Sequence, residues 1–305
     1  MIHAERLFKG DTIGVVAPAS PPNLKKLEKA IPFMESMGLK VKVGNHVSKV
    51  NGYLAGTDAE RLEDFHQMFH DPSIKAIFCA GGGYGTARIT DSIDMELMKK
   101  NPKIFWGYSD ITYLHTAIRQ QTGLVTFHGP MLSSDIGQDD FDDRSKELFH
   151  QLFEPKTLRY DSRFSETETI VAGEAEGPLT GGNLSLIVSG IGTAYEIDVQ
   201  DKILFIEDID EAPYRVDSML NQLKLSGKLE EAAGIVVGDF KNAEPTNGRP
   251  SLSLDEVLDF YFSGLDIPVV KGFKIGHCQP HFAVPLGAKA TLSSDKGLQI
   301  EPGVR

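Results

Sequence analysis

Hydrophobic and polar residues alternate along the first half of the chain in a pattern that predicts strands and helices in turn. Thr12 to Ala17 and Ile74 to Cys79 are short apolar or β-branched runs, typical of buried strands. Between them, the apolar residues from Leu24 to Met37 recur at helical spacing, although Pro32 interrupts the pattern. Thr57 to Glu60 has the form of a capping box that opens a second helix. This repetition predicts an α/β fold with a doubly wound, mostly parallel sheet.

The second half of the chain has an alternation of its own. Lys202 to Ile206 and Gly234 to Val237 predict strands, and Pro213 to Leu225 predicts a helix with proline at its start. Ser253 to Glu256 is another capping box. The second half is therefore predicted to form a smaller α/β unit.

A weaker pattern separates the two halves. Between Gln138 and Glu176 the hydrophobic periodicity fades and charged residues increase, and 305 residues are enough for about two domains. We therefore expect an N-terminal domain at residues 1–155, a linker at 156–170 and a C-terminal domain at 171–305.

Two glycine-rich turns follow predicted strands. Gly81 to Gly85 comes after the strand that ends at Cys79, and Gly107 to Asp110 comes after the strand from Lys103 to Trp106. In doubly wound sheets, ligands lie beyond the carboxyl ends of the strands. The first turn lacks the glycine spacing of a dinucleotide fingerprint, and the chain has no Walker lysine. A tight turn or a set of backbone donors is the better interpretation.

Ser109 is the candidate nucleophile. It lies between a buried strand and a helix and follows Gly107 closely, as in a nucleophile elbow, where a sharp turn exposes the serine Oγ. The usual elbow has glycine two residues after the serine, where this chain has Ile111. The alternative is that Ser109 only caps the helix that follows.

A serine nucleophile needs a base, and the base needs an acid to orient it. Among nine histidines, His128 and His277 follow strand-like runs and neighbour glycine, and position alone does not choose between them. Glu207 directly follows a predicted strand. Its competitors in the same acidic run are Asp208, Asp210 and Glu211. The alternative for that run is a solvated turn.

Composition narrows the classes of partner. The chain has 31 basic and 43 acidic residues and a net charge of −12, which argues against binding to nucleic acid or to anionic lipid. No stretch resembles a signal peptide or a membrane span, so we expect a cytoplasmic protein. Two cysteines, Cys79 and Cys278, are too few for a disulfide scaffold and lack nearby thiol partners at metal-ligand spacing, so we expect no metal. We also expect no cofactor.

Seven separated motifs carry a family resemblance. In chain order they are GDTIGVVAPASPP, GGGYGTARI, IFWGYSDIT, TFHGPM, GGNLSL, LFIEDIDEAPYRVDSMLNQL and KIGHCQPHFAVPLGA. Together they resemble the serine LD-carboxypeptidases, which trim murein peptides and include the microcin self-immunity peptidases. The likeness extends from near Lys9 to near Ala290.

The resemblance implies a Ser–Glu–His triad divided between two domains. The family's nucleophile falls on Ser109, in the N-terminal domain. Its acid falls on Glu207 and its histidine on His277, both in the C-terminal domain.

The resemblance also implies an oxyanion hole, formed by the Asp110 N–H and the backbone of Gly82 or Gly83. With His277 as the base, His128 becomes a structural or substrate-pocket residue. Asn183, in the GGN segment, is a further candidate for the substrate pocket.

The reaction implied is hydrolysis of the LD-peptide bond before the terminal D-alanine of a murein tetrapeptide, through an acyl-enzyme. It would belong to cytoplasmic recycling of wall peptides, and the family suggests a homodimer. Many members carry arginine where this chain has Gly81, and that position bears on substrate preference. The alternatives are an immunity-type peptidase that cleaves peptidyl-nucleotide amides, a non-catalytic ligand-binding protein and a nucleotide-dependent oxidoreductase.

Overall fold

The computed structural model describes residues 1–245, 248 and 250–305. The chain divides into two compact units, each assembled from separate stretches of sequence. The first unit contains Met1–Lys156, Ala283–Gly287 and Pro302–Arg305. The second contains Thr157–Phe282 and Ala288–Glu301.

The first unit is built on a six-stranded sheet. Its strands, numbered along the whole chain, are β1 (Thr12–Val16), β2 (Lys40–Val43), β3 (Ile74–Cys79), β4 (Ile104–Gly107), β5 (Thr126–His128) and β12 (Val284–Leu286). Its helices are α1 (Leu24–Ser36), α2 (Asp58–His70), α3 (Thr86–Thr90), α4 (Met95–Lys100), α5 (Thr112–Thr122) and α6 (Asp143–Glu147). The strand order is β12-β5-β4-β3-β1-β2, and only β12 runs antiparallel to its neighbour. The predicted doubly wound, mostly parallel sheet is confirmed.

Burial follows strand position in this sheet. The central strands β3 and β4 are almost wholly buried, whereas β2, at the edge, is exposed or half-buried throughout. Helix α1 continues through Pro32, because Asn23 caps its first turn and its face at Leu27, Ala30 and Met34 is buried. The free energy gained by burying that apolar face exceeds the free energy lost with the one backbone hydrogen bond that proline cannot donate.

The second unit holds an eight-stranded mixed sheet. Its strands are β6 (Leu158–Arg159), β7 (Glu168–Val171), β8 (Glu174–Asn183), β9 (Ile203–Ile209), β10 (Gly234–Lys241), β11 (Val269–Lys271), β13 (Lys289–Ser293) and β14 (Gly297–Ile300). Its helices are α7 (Leu184–Ser189), α8 (Pro213–Leu225), α9 (Lys228–Glu231) and α10 (Leu254–Phe262). The order is β6-β14-β13-β8-β9-β10-β11-β7, with β8 to β11 parallel and antiparallel strands on both sides.

The core of the second unit forms between the parallel strands and the helices. Leu204 and Ile206 of β9 pack in one apolar cluster with Leu220 of α8 and Phe262 of α10. Each of these side chains is fully buried. The predicted α/β character of the second half is confirmed. Residues 156–170, predicted as a linker, include β6 and the first residues of β7, and the predicted domain boundaries stay a prediction.

The GGN segment forms the last three residues of strand β8. Gly181 has a φ of +127° at the end of β8. A Cβ placed on it would lie 1.8 Å from the carbonyl oxygen of Phe205 in β9. The missing side chain is therefore what allows the two strands to pair at this point, where β8 delivers Asn183 opposite Glu207.

We predict that Gly181→Ala destabilises the protein by more than about 3 kcal/mol, because the added methyl group must displace the backbone of β9. Chemical denaturation would measure the loss in the free energy of unfolding. Gly192→Ala is the matched control, because Gly192 also has a positive φ (+81°) but a Cβ placed on it would have no atom within 4 Å. It should cost only about 1 kcal/mol for the strained backbone. Equal losses in the two variants would contradict the packing explanation.

Candidate active site

The turn after β4 holds Ser109 in a strained backbone conformation. Its φ is +64°, which non-glycine residues adopt rarely. Ile111 occupies the N-cap position of α5, and among the described residues no side chain makes a capping hydrogen bond there. Ser109 is the first residue of a short 3-10 turn whose N-cap is Tyr108, so it is not the N-cap residue of either that turn or α5. A serine held at positive φ between a buried strand and a helix has the geometry of a nucleophile elbow.

The glycine loop after β3 lies directly against this serine. A Cβ placed on Gly82 would lie 3.0 Å from the Cβ and 3.2 Å from the Oγ of Ser109. The Gly82 carbonyl accepts a hydrogen bond from the Ser20 amide (3.1 Å), and the Tyr84 amide donates to the Ser20 Oγ (3.1 Å). Gly83, between them, has a φ of +105°. Glycine at these positions lets the loop backbone approach the nucleophile.

Asp110, the residue after Ser109, connects the two turns. Its carboxylate accepts a hydrogen bond from the Thr86 amide (2.9 Å), and its carbonyl accepts one from the Thr86 hydroxyl (2.7 Å). Burial raises the pKa of this carboxyl group, against the opposing effect of the Thr86 hydrogen bonds and of the nearby Arg61 charge. Among the described residues, no hydrogen bond uses the amide N–H of Gly82 or Asp110 as its donor.

The second unit contributes a carboxylate–imidazole pair. Glu207 lies near the carboxyl end of β9 and has no exposed surface. Its Oε2 lies 2.6 Å from the Nδ1 of His277. Gly276 has a φ of +121°, and a Cβ there would lie 2.6 Å from the same Oε2. An imidazole held through Nδ1 has its Nε2 as the atom that can exchange a proton with a substrate or nucleophile.

Asp208, a competitor of Glu207 on sequence grounds, faces a different partner. Its carboxylate accepts hydrogen bonds from the Asn183 side chain (2.9 Å) and the Ser185 amide (2.9 Å). Burial and the negative charge of Glu207 raise the pKa of Asp208 to about 6. Asn183 also caps α7 by accepting from the Leu186 amide. The observed role of Asn183 is thus structural, and its predicted contact with substrate stays a prediction.

The predicted site residues fall into two groups. In the first unit Gly82 lies against Ser109, with Gly83 and Asp110 adjoining them in sequence. In the second unit Glu207 and His277 form a hydrogen bond. The pairing of Ser109 with His277 stays a prediction.

Two family models match successive parts of this chain. The LD-carboxypeptidase N-terminal domain matches residues 13–129, and the LD-carboxypeptidase C-terminal domain matches residues 176–292. The chain belongs to the LD-carboxypeptidase family.

Individual relatives cover nearly the whole chain. A Bacillus subtilis protein named probable murein peptide carboxypeptidase is 56% identical over 98% of this chain and 94% of its own length. The muramoyltetrapeptide carboxypeptidase of Oxalobacter formigenes superposes with a TM-score of 0.85 at 30% identity, covering 95% of this chain and 98% of that one. The microcin self-immunity protein MccF, in complex with glutamyl sulfamoyl guanosine, superposes with a TM-score of 0.90 at 26% identity, covering 99% and 98%.

This LD-carboxypeptidase family member is therefore a peptidase. The comparison confirms the predicted family and enzyme class, and it excludes the non-catalytic and oxidoreductase alternatives. Among the described residues, no helix is long and apolar enough to cross a bilayer. The same residues contain no group of three or more His, Cys, Asp or Glu side chains placed to hold a metal ion.

His128, the other histidine considered as base, lies in the core of the first unit. It is in β5 with no exposed surface, and its ring meets that of Tyr108 edge-on at 5.4 Å between centroids. A role in the substrate pocket stays a prediction for this residue.

A second buried histidine forms a hydrogen bond to the backbone just before the turn that holds Ser109. His115, in α5, is fully buried, and its Nε2 lies 2.8 Å from the carbonyl oxygen of Gly107, two residues before Ser109. Burial lowers the pKa of His115 to about 3, so the ring is neutral at pH 7 and its Nε2–H donates to that carbonyl. The partner carbonyl belongs to the last residue of β4, eight residues before His115 in the chain.

We predict that His115 makes the protein less stable as the pH falls. The unfolded chain protonates this imidazole near pH 6.5, whereas the folded protein does so only near pH 3, so protons favour unfolding between these values. Wild type should lose about 2 kcal/mol more than His115→Gln between pH 7 and pH 5. Glutamine keeps an N–H donor but does not titrate. Urea unfolding at both pH values measures the difference.

The surface variant His150→Gln controls for loss of an imidazole elsewhere and should follow wild type. Parallel pH dependence in wild type and His115→Gln would show that His115 is not the group responsible.

Proposed function

We propose that this protein is a serine LD-carboxypeptidase that releases the terminal D-alanine of a murein tetrapeptide. The observation that carries the proposal is the 2.6 Å hydrogen bond between Glu207 and His277, two residues that the family resemblance implies as acid and base. The strained turn at Ser109 supports the third member of the triad. The identity of 56% to a protein named as a murein peptide carboxypeptidase supports the substrate class.

In the first step the Ser109 Oγ attacks the carbonyl carbon of the L-configured centre of the diamino acid. His277 Nε2 accepts the proton from Oγ as the new C–O bond forms. Glu207, fully buried, holds the ring through Nδ1 and stabilises the imidazolium that results. The product of this step is a tetrahedral intermediate with a negatively charged oxygen.

Backbone amides stabilise that oxygen in this proposal. The Asp110 and Gly82 N–H groups lie beside Ser109, and no described residue accepts a hydrogen bond from either. Gly83 is the alternative second donor. One donor of this kind contributes about 10²–10³ in rate.

The intermediate then collapses to an acyl-enzyme. The C–N bond breaks, and His277 returns its proton to the leaving amine, so that D-alanine departs with a neutral amino group that protonates in water. Water attacks the ester with His277 again as base, and Ser109 regains its proton as the shortened peptide leaves.

A peptidyl-nucleotide amide is the second candidate substrate. The superposition on MccF, which was solved with a glutamyl sulfamoyl nucleoside, favours it. The higher identity, 56%, to a protein named as a probable murein peptide carboxypeptidase supports the tetrapeptide as the first candidate. We also propose that the protein is a homodimer and acts in the cytoplasmic recycling of wall peptides. Light scattering in solution tests the dimer.

We predict that Ser109→Ala and His277→Ala each lower kcat by about 10⁴–10⁶, because triad members act as a unit. Glu207→Gln should lower kcat by about 10²–10⁴, because the ring loses its orienting charge. Mass spectrometry of D-alanine released from an LD-linked murein tetrapeptide measures all three. Ser36→Ala and His150→Gln are matched controls at exposed positions and should retain full activity.

The same panel of variants is assayed on a peptidyl-nucleotide amide. Turnover of that substrate alone by wild type would replace the murein assignment and keep the triad. Full activity of Ser109→Ala on either substrate would refute the triad.

A further inference from the structure

A buried guanidinium lies beneath the loops that surround Ser109. Arg61, in the first half of α2, has a side chain with no exposed surface. Its Nη1 donates to the carbonyl oxygens of Pro18 (2.5 Å) and Gly85 (2.9 Å), and its Nη2 donates to the Asp58 carboxylate (2.5 Å). All of these residues belong to the first unit.

A buried guanidinium is not an efficient way to stabilise a fold. Removing a charged side chain from water is unfavourable unless the charge is paired, and apolar packing often replaces a buried ion pair without loss of stability. Among the described residues, Asp58 is the only carboxylate that accepts a hydrogen bond from Arg61, and Asp58 is itself 38% exposed. The other two partners are main-chain carbonyls on different loops. Through these two carbonyls Arg61 joins the loop after β1 to the loop after β3.

The Gly85 contact leads to the nucleophile turn. Gly85 has a φ of +126°, and a Cβ there would lie 2.8 Å from the Arg61 Nη1, so only glycine permits this approach. The next residue, Thr86, makes the two hydrogen bonds to Asp110 that tie the glycine loop to the residue after Ser109.

The Pro18 contact leads to the other side of the same turn. Two residues after Pro18, the Ser20 amide donates to the Gly82 carbonyl, and the Ser20 Oγ accepts from the Tyr84 amide. Gly82 is the residue that lies against Ser109. Both carbonyls held by Arg61 therefore lie on segments that place Gly82 and Asp110 around the nucleophile.

We propose that Arg61 is a positioning residue for the reaction: its guanidinium fixes the Pro18 and Gly85 carbonyls, and thereby the Gly82 and Asp110 amides that bind the oxyanion. This inference rests on the function proposed above. Arg61 touches neither substrate nor the reacting atoms. It acts on the transition state through the two loops, because a donor displaced by a fraction of an ångström binds a developing charge less well.

Lysine cannot replace arginine in this role. The planar guanidinium directs several N–H groups at partners in fixed directions, whereas an ammonium is a compact charge on a flexible stem. Arg61→Lys keeps the positive charge but not the simultaneous bonds to two carbonyls and Asp58. Arg61→Lys therefore distinguishes the effect of the directed N–H groups of the guanidinium from the effect of the positive charge.

Arg88 offers a matched control. Its guanidinium donates from Nε and Nη2 to the same Asp58 carboxylate, but the side chain is 46% exposed and, in the described part of the chain, donates to no loop carbonyl. The Arg88 amide donates to the Gly85 carbonyl (3.2 Å), and a change of side chain leaves that amide in place. Arg88→Lys perturbs the shared carboxylate without touching the Pro18 and Gly85 contacts.

The test measures kcat and KM for D-alanine release in wild type, Arg61→Lys, Arg61→Ala and Arg88→Lys, with thermal unfolding to choose a temperature at which every variant is folded. We expect both Arg61 variants to lose about 10²–10³ in kcat, the effect of losing an oxyanion donor, with KM within threefold of wild type. Arg88→Lys should retain wild-type values. Methylguanidine at millimolar concentration should restore part of the kcat of Arg61→Ala by filling the vacated site.

A second readout separates this inference from the proposed substrate. An alkyl fluorophosphonate reacts with an activated serine through a tetrahedral centre that needs the same amide donors but no peptide. Its reaction with Ser109 should slow by a similar factor in the Arg61 variants, even if wild type releases no D-alanine and the murein assignment fails. Wild-type rates in Arg61→Lys by both readouts, or a loss confined to KM, would overturn the positioning role.

Discussion

The buried hydrogen bond between Glu207 and His277 is the constraint on which the second unit depends. A carboxylate with no exposed surface must be paired, and here β9 carries it to the strand end while Gly276 leaves room for it beside the ring. Asp208, next in sequence, has the opposite orientation and holds Asn183 at the start of α7. Two adjacent carboxylates thus have two uses, because successive side chains of a strand point to opposite faces.

In the first unit, the arrangement around Ser109 depends on backbone conformation and not on a pair of side chains. Ser109 needs a positive φ to be exposed at the strand end, and Gly82 needs to have no side chain in order to approach it. The side chains of Arg61, Thr86 and Ser20 hold these loops through hydrogen bonds to main-chain groups, which is the usual way in which irregular backbone becomes rigid.

Local periodicity predicted much of the architecture. The strand at Ile74–Cys79, the helix at Pro213–Leu225 and both capping boxes lie where the pattern indicates, because burial on one face and capping are local properties. Strand β12 had no such signal. It is a three-residue strand that follows α10 in the sequence and completes the sheet of the first unit by pairing with β5. The paired residues are more than 150 positions apart in the chain, so no local pattern marks this strand.

The sequence by itself determined the fold class, the family and the three residues proposed as the triad, since ordered motifs preserve residue identity at strand ends. Only the tertiary structure decided how those residues are supported: that His277 meets Glu207 through Nδ1, that Asn183 serves Asp208, and that a buried Arg61 joins two loops. These contacts join segments distant along the chain, and their partners are often main-chain carbonyls. A carbonyl is the same at every residue, so no sequence pattern marks the one that a distant side chain will reach.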